Sequence, residues 1–232
     1  MYTCLCALSI EKVRQECPPY IHIMPNIKDI QIVPARSEHF KVVARLHASS
    51  ITEGFLSTLG TRFLTVLYSG IAQADGSGVL VAVEQDKVLG YISYTRDIKT
   101  CYRQVLMSEW PALTLTMVPN AFNLSIYKKA IETLLYPFKH HDNSSGSAVS
   151  GAELLSMAVN ENARGKGIGK LLVSALDKEM SRMNIDGYHV VTHGIDERSN
   201  AFYMACGFTK VSEFLNHGKP MRKWERKVGR EI

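Results

Sequence analysis

Apolar residues in this chain fall into short runs and alternations separated by stretches where they recur at helical spacing, so strands and helices are expected to intermix. Ile30 to Pro34 reads as a strand, and Ser37 is placed to cap an amphipathic helix that follows through His47. A second helix is expected over Phe55 to Ala72, where Leu56, Leu59, Phe63, Val66, Leu67 and Ile71 share one face and form a core stripe. Val79 to Glu84 and Val88 to Tyr94 flank Gln85-Asp86-Lys87 as a hairpin. The stretch from Arg96 to Ser150 reads as helical, with breaks at Pro111 and Pro119, a further amphipathic segment over Tyr127 to Tyr136, and a loop rich in Ser, Asn and Gly from His140.

Ala152 to Val159 then reads as a strand, Ile168 to Met183 as a helix and Tyr188 to Thr192 as the next strand, a βαβ unit with a right-handed crossover. Ser199 or Asn200 is placed to cap a short helix that Gly207 stops in a left-handed conformation. Phe208 to Phe214, beginning a new apolar strand, and Met221 to Val228 form a second hairpin around Leu215 to Pro220. Residues 1–27, punctuated by Pro18, Pro19 and Pro25, read as an extension, and 28–232 as one domain that includes the insertion at about 96–150.

Composition narrows the class. At 232 residues and 46% hydrophobic content the chain can bury one sizeable core. The net charge of +5 is modest and gathers partly in Met221 to Lys227, so no nucleic-acid footprint emerges. Five cysteines, at positions 4, 6, 17, 101 and 206, form neither C-x-x-C pairs nor a disulfide framework, which points to reduced thiols in a cytoplasm and to no metal module. No stretch approaches the ~20 apolar residues of a membrane span.

The chemistry concentrates between Met157 and Lys170, where an apolar strand passes through a basic, glycine-rich turn into a helix. Glycines let a ligand approach the backbone closely, and the first helical amides lack intrahelical partners and sit at the positive end of the dipole. An anion is the fitting ligand. The dinucleotide fingerprint fails because Lys170 stands where its third glycine belongs, and the Walker A pattern fails at Arg164 and Leu171. Arg164, Gly167 and Gly169 do satisfy R-x-x-G-x-G, and Asn200, Tyr203 and Gly207-Phe208 follow about thirty residues later.

Together these two segments resemble the paired signatures of the GCN5-related N-acetyltransferases, the GNAT superfamily. The resemblance implies an α/β fold of the α+β kind: a central, mixed, mostly antiparallel twisted sheet of six to seven strands flanked by helices. A helical insertion would lie between its third and fourth strands. It also implies acetyl-CoA as acyl donor and no metal. Gly165, Lys166, Gly167, Ile168 and Gly169, with Arg164 and Lys170, would surround the pyrophosphate. The backbone of Met157, Ala158 and Val159 would meet the pantetheine arm and thioester carbonyl, and Asn200 would complete the cofactor site. Tyr203 is the candidate acid for the departing thiolate.

Glu153 is the first candidate base for the acceptor amine, with alternation directing Glu153, Leu155 and Met157 to one face. His193 could act through water. Ser50 to Phe55, Asn216 to Lys219 and the insertion would shape the acceptor pocket, where Glu53 could hold a cationic amine. A small-molecule primary amine is the favoured acceptor; a peptide or protein amine, or a non-catalytic acyl-CoA-binding module, are the alternatives. The N-terminal arm and the insertion are both surfaces on which a homodimer could form.

Overall fold

The computed structural model describes residues 29–52, 55–117, 151–216 and 218–229. Seven strands form one sheet in the order β1-β2-β3-β4-β5-β7-β6: β1 Gln31–Pro34, β2 Ser77–Glu84, β3 Lys87–Thr95, β4 Glu153–Val159, β5 Gly187–His193, β6 Thr209–Asn216 and β7 Lys219–Lys227. All neighbours pair antiparallel except β4 and β5, which run parallel. The helices are α1 Ser37–Ser50, α2 Gly60–Gln73, α3 Ile98–Met117, α4 Ile168–Arg182 and α5 Glu197–Ala205. This is the mixed sheet with a helical insertion between its third and fourth strands that the resemblance implies.

Strand alternation divides the core into two clusters. Val79, Val81 and Tyr91 pack with α1, α2 and α3, whereas Leu80, Ala82, Ile92 and Leu154 pack with Ile168, Leu172, Leu176 and Met180 of α4 and with Tyr203 of α5. The second cluster is closed by a clamp: Arg226 of β7 donates from Nε and Nη2 to Asp177 of α4 at 2.8 and 2.7 Å, and the Tyr188 hydroxyl donates to the same carboxylate at 2.9 Å. Arg226 also donates to the carbonyl of Cys206 at the end of α5, beside Gly207, whose φ of +80° ends the helix as its sequence position suggests.

Several local expectations change. Helix α1 begins at Ser37, and its opening amide, that of Arg36, donates to His39 Nδ1 at 3.0 Å; an imidazole takes the capping role assigned to Ser37. Asp196, not Ser199 or Asn200, caps α5, its Oδ1 accepting from the Ser199 amide at 3.0 Å. Pro111 lies inside α3 instead of breaking it. It is exposed, as is Met107 one turn earlier, so the proline sits on the solvent side of the helix. The second hairpin is tighter than expected: Leu215 pairs with Pro220 and Asn216 with Lys219, leaving a two-residue turn with Gly218 at φ +77°. Strand β6 is exposed from Thr209 to Leu215, so Phe208, itself buried, does not open an apolar strand. Pro119, the segment 127–136 and the loop 140–150 lie outside the described residues.

A polar cluster interrupts the first core. The Tyr68 hydroxyl of α2 lies 2.5 Å from His47 Nδ1 of α1, 2.9 Å from the Tyr91 hydroxyl of β3 and 2.8 Å from Ser156 Oγ of β4. Ser156 Oγ is also 2.7 Å from Ser93 Oγ. His47 is 4% exposed, and burial lowers its pKa from the ordinary 6.5 to about 4.

Acid should weaken this packing. Unfolded His47 takes up a proton near pH 6.5 and folded His47 only near 4, so its contribution is full above pH 6.5 and is lost as pH falls through that window. The unfolding free energy from urea titrations should therefore fall between pH 7 and 4, by up to roughly 3 kcal/mol from this residue, and His47→Gln should flatten the slope. In α4, a Cβ on Gly169 would meet Cε2 and Cζ of Phe202 at 2.8 and 2.9 Å. Gly169→Ala should thus destabilise by about 1–3 kcal/mol despite its better helix propensity, and Phe202→Ala in the same chain should remove that penalty, as thermal melts would read.

Candidate active site

Strands β4 and β5 begin as a parallel pair and then part. Glu153 pairs with His189, and the His189 amide donates to the Ala152 carbonyl at 3.0 Å; no further rung joins the two strands. Beyond Glu153 the edge of β4 that faces β5 is therefore open backbone in the middle of a sheet, where polar groups ordinarily find partners.

Which groups occupy that edge follows from register. On the β3 side Ser93 pairs with Ser156 and Tyr94 with Leu154, so Leu155 is an extra residue, a β-bulge. The Ala152 carbonyl faces β5, and unbroken alternation would turn Leu154, Ser156 and Ala158 to β5 and Met157 to β3. Past the bulge the order is reversed. The Asn160 amide donates to the Leu89 carbonyl at 2.8 Å, which continues the register Gly90–Val159 and Ile92–Met157 and places Ala158 toward β3 and Met157 and Val159 toward the gap. The bulge also overturns the expected shared face of Glu153, Leu155 and Met157. Leu155 packs in the first cluster and Met157 in the second.

The glycine turn closes the end of the gap. Gly165 and Gly167 have φ of +76° and +77°, a conformation that disfavours any side chain, and a Cβ on Gly165 would meet nothing within 4 Å. The first backbone bond of α4 runs from the Leu171 amide to the Gly167 carbonyl. Among the described residues, the amides of Gly165, Lys166, Gly167, Ile168, Gly169 and Lys170 donate no hydrogen bond. Six consecutive free donors at the start of a 15-residue helix are a cradle for an anion.

Two of the expected cofactor side chains are engaged elsewhere. Arg164 donates from Nε to the Val159 carbonyl at 3.0 Å and from Nη2 to Ser50 Oγ at 3.3 Å, with Glu161 3.6 Å away, so its guanidinium ties the strand end to α1. Asn200 is 3% exposed. Its Oδ1 accepts from Thr192 Oγ1 at 2.7 Å and Trp224 Nε1 at 3.3 Å, and its Nδ2 donates to the carbonyls of His193 and Gly194, both at 3.2 Å. All four hydrogen-bonding positions of that carboxamide are filled, so a ligand contact would have to replace one.

Tyr203 is buried beside Phe202 and Phe208 and shares the second cluster with Met157. Burial above all, then the neighbouring Cys206, Tyr91 and Asp196, push its phenol well above the ordinary range, which keeps it protonated. Glu153 Oε2 stands 3.5 Å from His189 Nε2, both side chains being 17% exposed. Helix α3 brings Tyr102 to this side, where burial first and the Glu153 charge next raise its pKa. Both ring nitrogens of His193 are buried without a hydrogen-bond partner among the described residues. Glu53 lies outside them.

Sequence reasoning passed over His189, Ser156 and the His47–Tyr68–Tyr91 cluster. Each left a signal: His189 and Ser156 are polar residues inside apolar strands, and His47 follows Phe40, Val43 and Ala44 on the apolar stripe of α1. A cleft of about 790 Å³ lined by Asp75, Arg96, Asp97, Gly151, Asp186 and Lys227 lies at the opposite end of β4, about 20 Å from the cradle by strand rise. Among the described residues no group of three or more His, Cys, Asp or Glu could hold a metal ion, and no helix is long and apolar enough to cross a membrane.

The model of the Acetyltransferase (GNAT) family matches residues 48–208, which include the bulge, the cradle and Tyr203. No curated protein matches the chain. Among solved structures, SsHAT shares 14% identity at a TM-score of 0.63, covering 87% of this chain and 99% of that one. Salmonella typhimurium yncA, solved with its cofactor acetyl-CoA, shares 16% at 0.55, covering 87% and 95%. A mutant form of the spermidine N-acetyltransferase SpeG of Vibrio cholerae shares 10% at 0.52, covering 87% and 95%. These likenesses establish a common fold, and with a family model that spans most of the sequence, the chain belongs to the GNAT acetyltransferase family.

Proposed function

We propose that this protein is an acetyl-CoA-dependent N-acetyltransferase that moves acetyl directly from the thioester to a primary amine of a small molecule. The observation that carries the reading is the run of six free amides at the start of α4, which follows the open edge of β4 in the chain. Acetyl-CoA supplies an acetyl group activated as a thioester, and yncA, of the same fold, is described with that cofactor.

The amides of Gly165 to Lys170 bind the pyrophosphate, with the Lys166 and Lys170 side chains adding positive charge. Met157 and Val159 offer main-chain partners to the pantetheine arm, whereas the main chain of Ala158, expected there from the sequence, is turned to β3. The Met157 amide faces the gap and stabilises negative charge as it develops on the carbonyl oxygen; one such donor is worth about 10²–10³ in rate. Tyr203, held protonated by burial, gives its proton to the departing thiolate. Glu153 takes the proton that the acceptor ammonium must lose before it attacks, and His193, with both ring nitrogens unpartnered among the described residues, is the second base. Tyr102 of α3, set against Glu153, walls this side, which suits a small acceptor better than an open peptide groove.

The test is a panel of small amines and peptides screened for acetyl-CoA-dependent thiol release, with mass detection of the product. Small primary amines should give acetylated product; product with peptides alone would replace the acceptor assignment, and background hydrolysis alone would leave a binding module. With the best amine, Tyr203→Phe should lower kcat by about 10²-fold or more and leave the KM for acetyl-CoA near the wild-type value. Because the Tyr203 pKa is raised, its deprotonation should not limit the wild-type rate anywhere below about pH 10, the ordinary phenol value. Glu153→Gln should lower kcat by about 10²-fold or more; an unchanged kcat would remove the base role from Glu153.

A further inference from the structure

The open edge of β4 depends on the bulge at Leu155, and a bulge needs a reason to stay where it is. A one-residue slip restores regular pairing and sends every following group to the other side. In this chain such a slip would return the Met157 amide toward β3 and away from the gap. Leu155 alone cannot hold it, since an apolar side chain packs on either register. Ser156 can. Its hydroxyl emerges on the same face as Leu155, where it lies 2.8 Å from the Tyr68 hydroxyl and 2.7 Å from Ser93 Oγ. Ser93 also donates to the Ser156 carbonyl at 3.3 Å, so side chain and main chain are gripped together.

The grip is anchored on two other elements. Tyr68 is 2% exposed and cannot turn its oxygen to water; its remaining contacts are the Tyr91 hydroxyl at 2.9 Å and His47 Nδ1. Tyr91 itself lies 3.2 Å from His47 Nδ1. Buried hydroxyls without partners are costly, so the cluster favours the one register in which Ser156 meets Tyr68. The catalytic assignments above use none of these residues.

We propose that Ser156, held by Tyr68 and Ser93, is a positioning residue for acetyl transfer: it locks the β4 bulge and thereby aims the Met157 amide at the thioester carbonyl. The proposal rests on the function assigned above, and the test separates the two. The full chain is loaded with acetyl-CoA carrying ¹³C at the acetyl carbonyl, and isotope-edited infrared spectra are recorded for the wild type, Ser156→Ala and Tyr68→Phe. Calorimetry gives the acetyl-CoA affinity of each, and no acceptor amine is required.

In the wild type, hydrogen bonding from Met157 should lower the carbonyl stretch relative to free acetyl-CoA. In both variants the band should return toward the free value while affinity changes by less than about 3-fold, because the pyrophosphate cradle is untouched. A band that stays at the wild-type position in either folded variant overturns the proposal, as does a wild-type band equal to that of the free thioester. Absence of acetyl-CoA binding by the wild type in calorimetry overturns the underlying function and the proposal with it. Tyr68→Phe keeps the ring that packs in the core, so a folding failure of Ser156→Ala leaves the experiment decisive.

Discussion

A parallel pair of strands that makes one rung and then separates is a costly thing to build into the centre of a sheet, and the rest of this structure is arranged around it. Backbone groups in a sheet are ordinarily saturated by neighbours. Here β4 keeps β3 on one side and leaves β5 on the other after Glu153, so Met157 and Val159 present main-chain groups to a gap. Gapped strands invite collapse, and two features oppose it. Helices α1 and α2 brace β4 from one face through the Tyr68–Ser156 contact, and on the other face α4 and β7 are joined by Asp177 and Arg226. The open edge is held by rigid neighbours on both sides.

The glycine turn extends the same logic. A helix start is a modest anion site by itself, but Gly165 and Gly167 carry the chain through two left-handed positions and keep side chains off the approach. Gly169 has a different duty: its missing Cβ lets α5 seat Phe202 against α4 and so brings Tyr203 into the cluster that holds Met157. Arg164, the first letter of the motif, serves geometry too, pulling the Val159 carbonyl and Ser50 together across the mouth of the gap. Much of the motif therefore builds the site, and the unpaired amides are what remain to touch a ligand.

The βαβ unit and the location of the glycine turn were legible in the letters, because glycine spacing and apolar periodicity report backbone conformation directly, and the fold class followed from the resemblance that the paired motifs carry. The bulge was not. Glu153-Leu154-Leu155-Ser156-Met157 alternates imperfectly, and an insertion of one residue shows only when the partner strand is known, so the shared face of Glu153 and Met157 was misread. Asn200 was legible as a motif residue but not as the hub between Thr192, Trp224 and the β5 end, since those partners lie on other elements. Asp196, a few residues before the segment that carried the motif, took the capping role for a local reason: short polar side chains compete for one cap, and backbone geometry decides. His189 was hidden by its position inside an apolar strand and becomes visible only as the rung partner of Glu153.

On the proposed function, two separate sets of unpaired amides, those of Met157 and Val159 and those of Gly165 through Lys170, receive acetyl-CoA. Amide-resolved NMR of the full chain, recorded with and without acetyl-CoA and followed by hydrogen exchange, tests it most directly. Shifts and new exchange protection confined to those amides and their immediate neighbours are the predicted result. Acetyl-CoA binding that leaves Gly165 to Lys170 and Met157 unmoved, or that perturbs instead the cleft at Arg96 and Lys227, would contradict it.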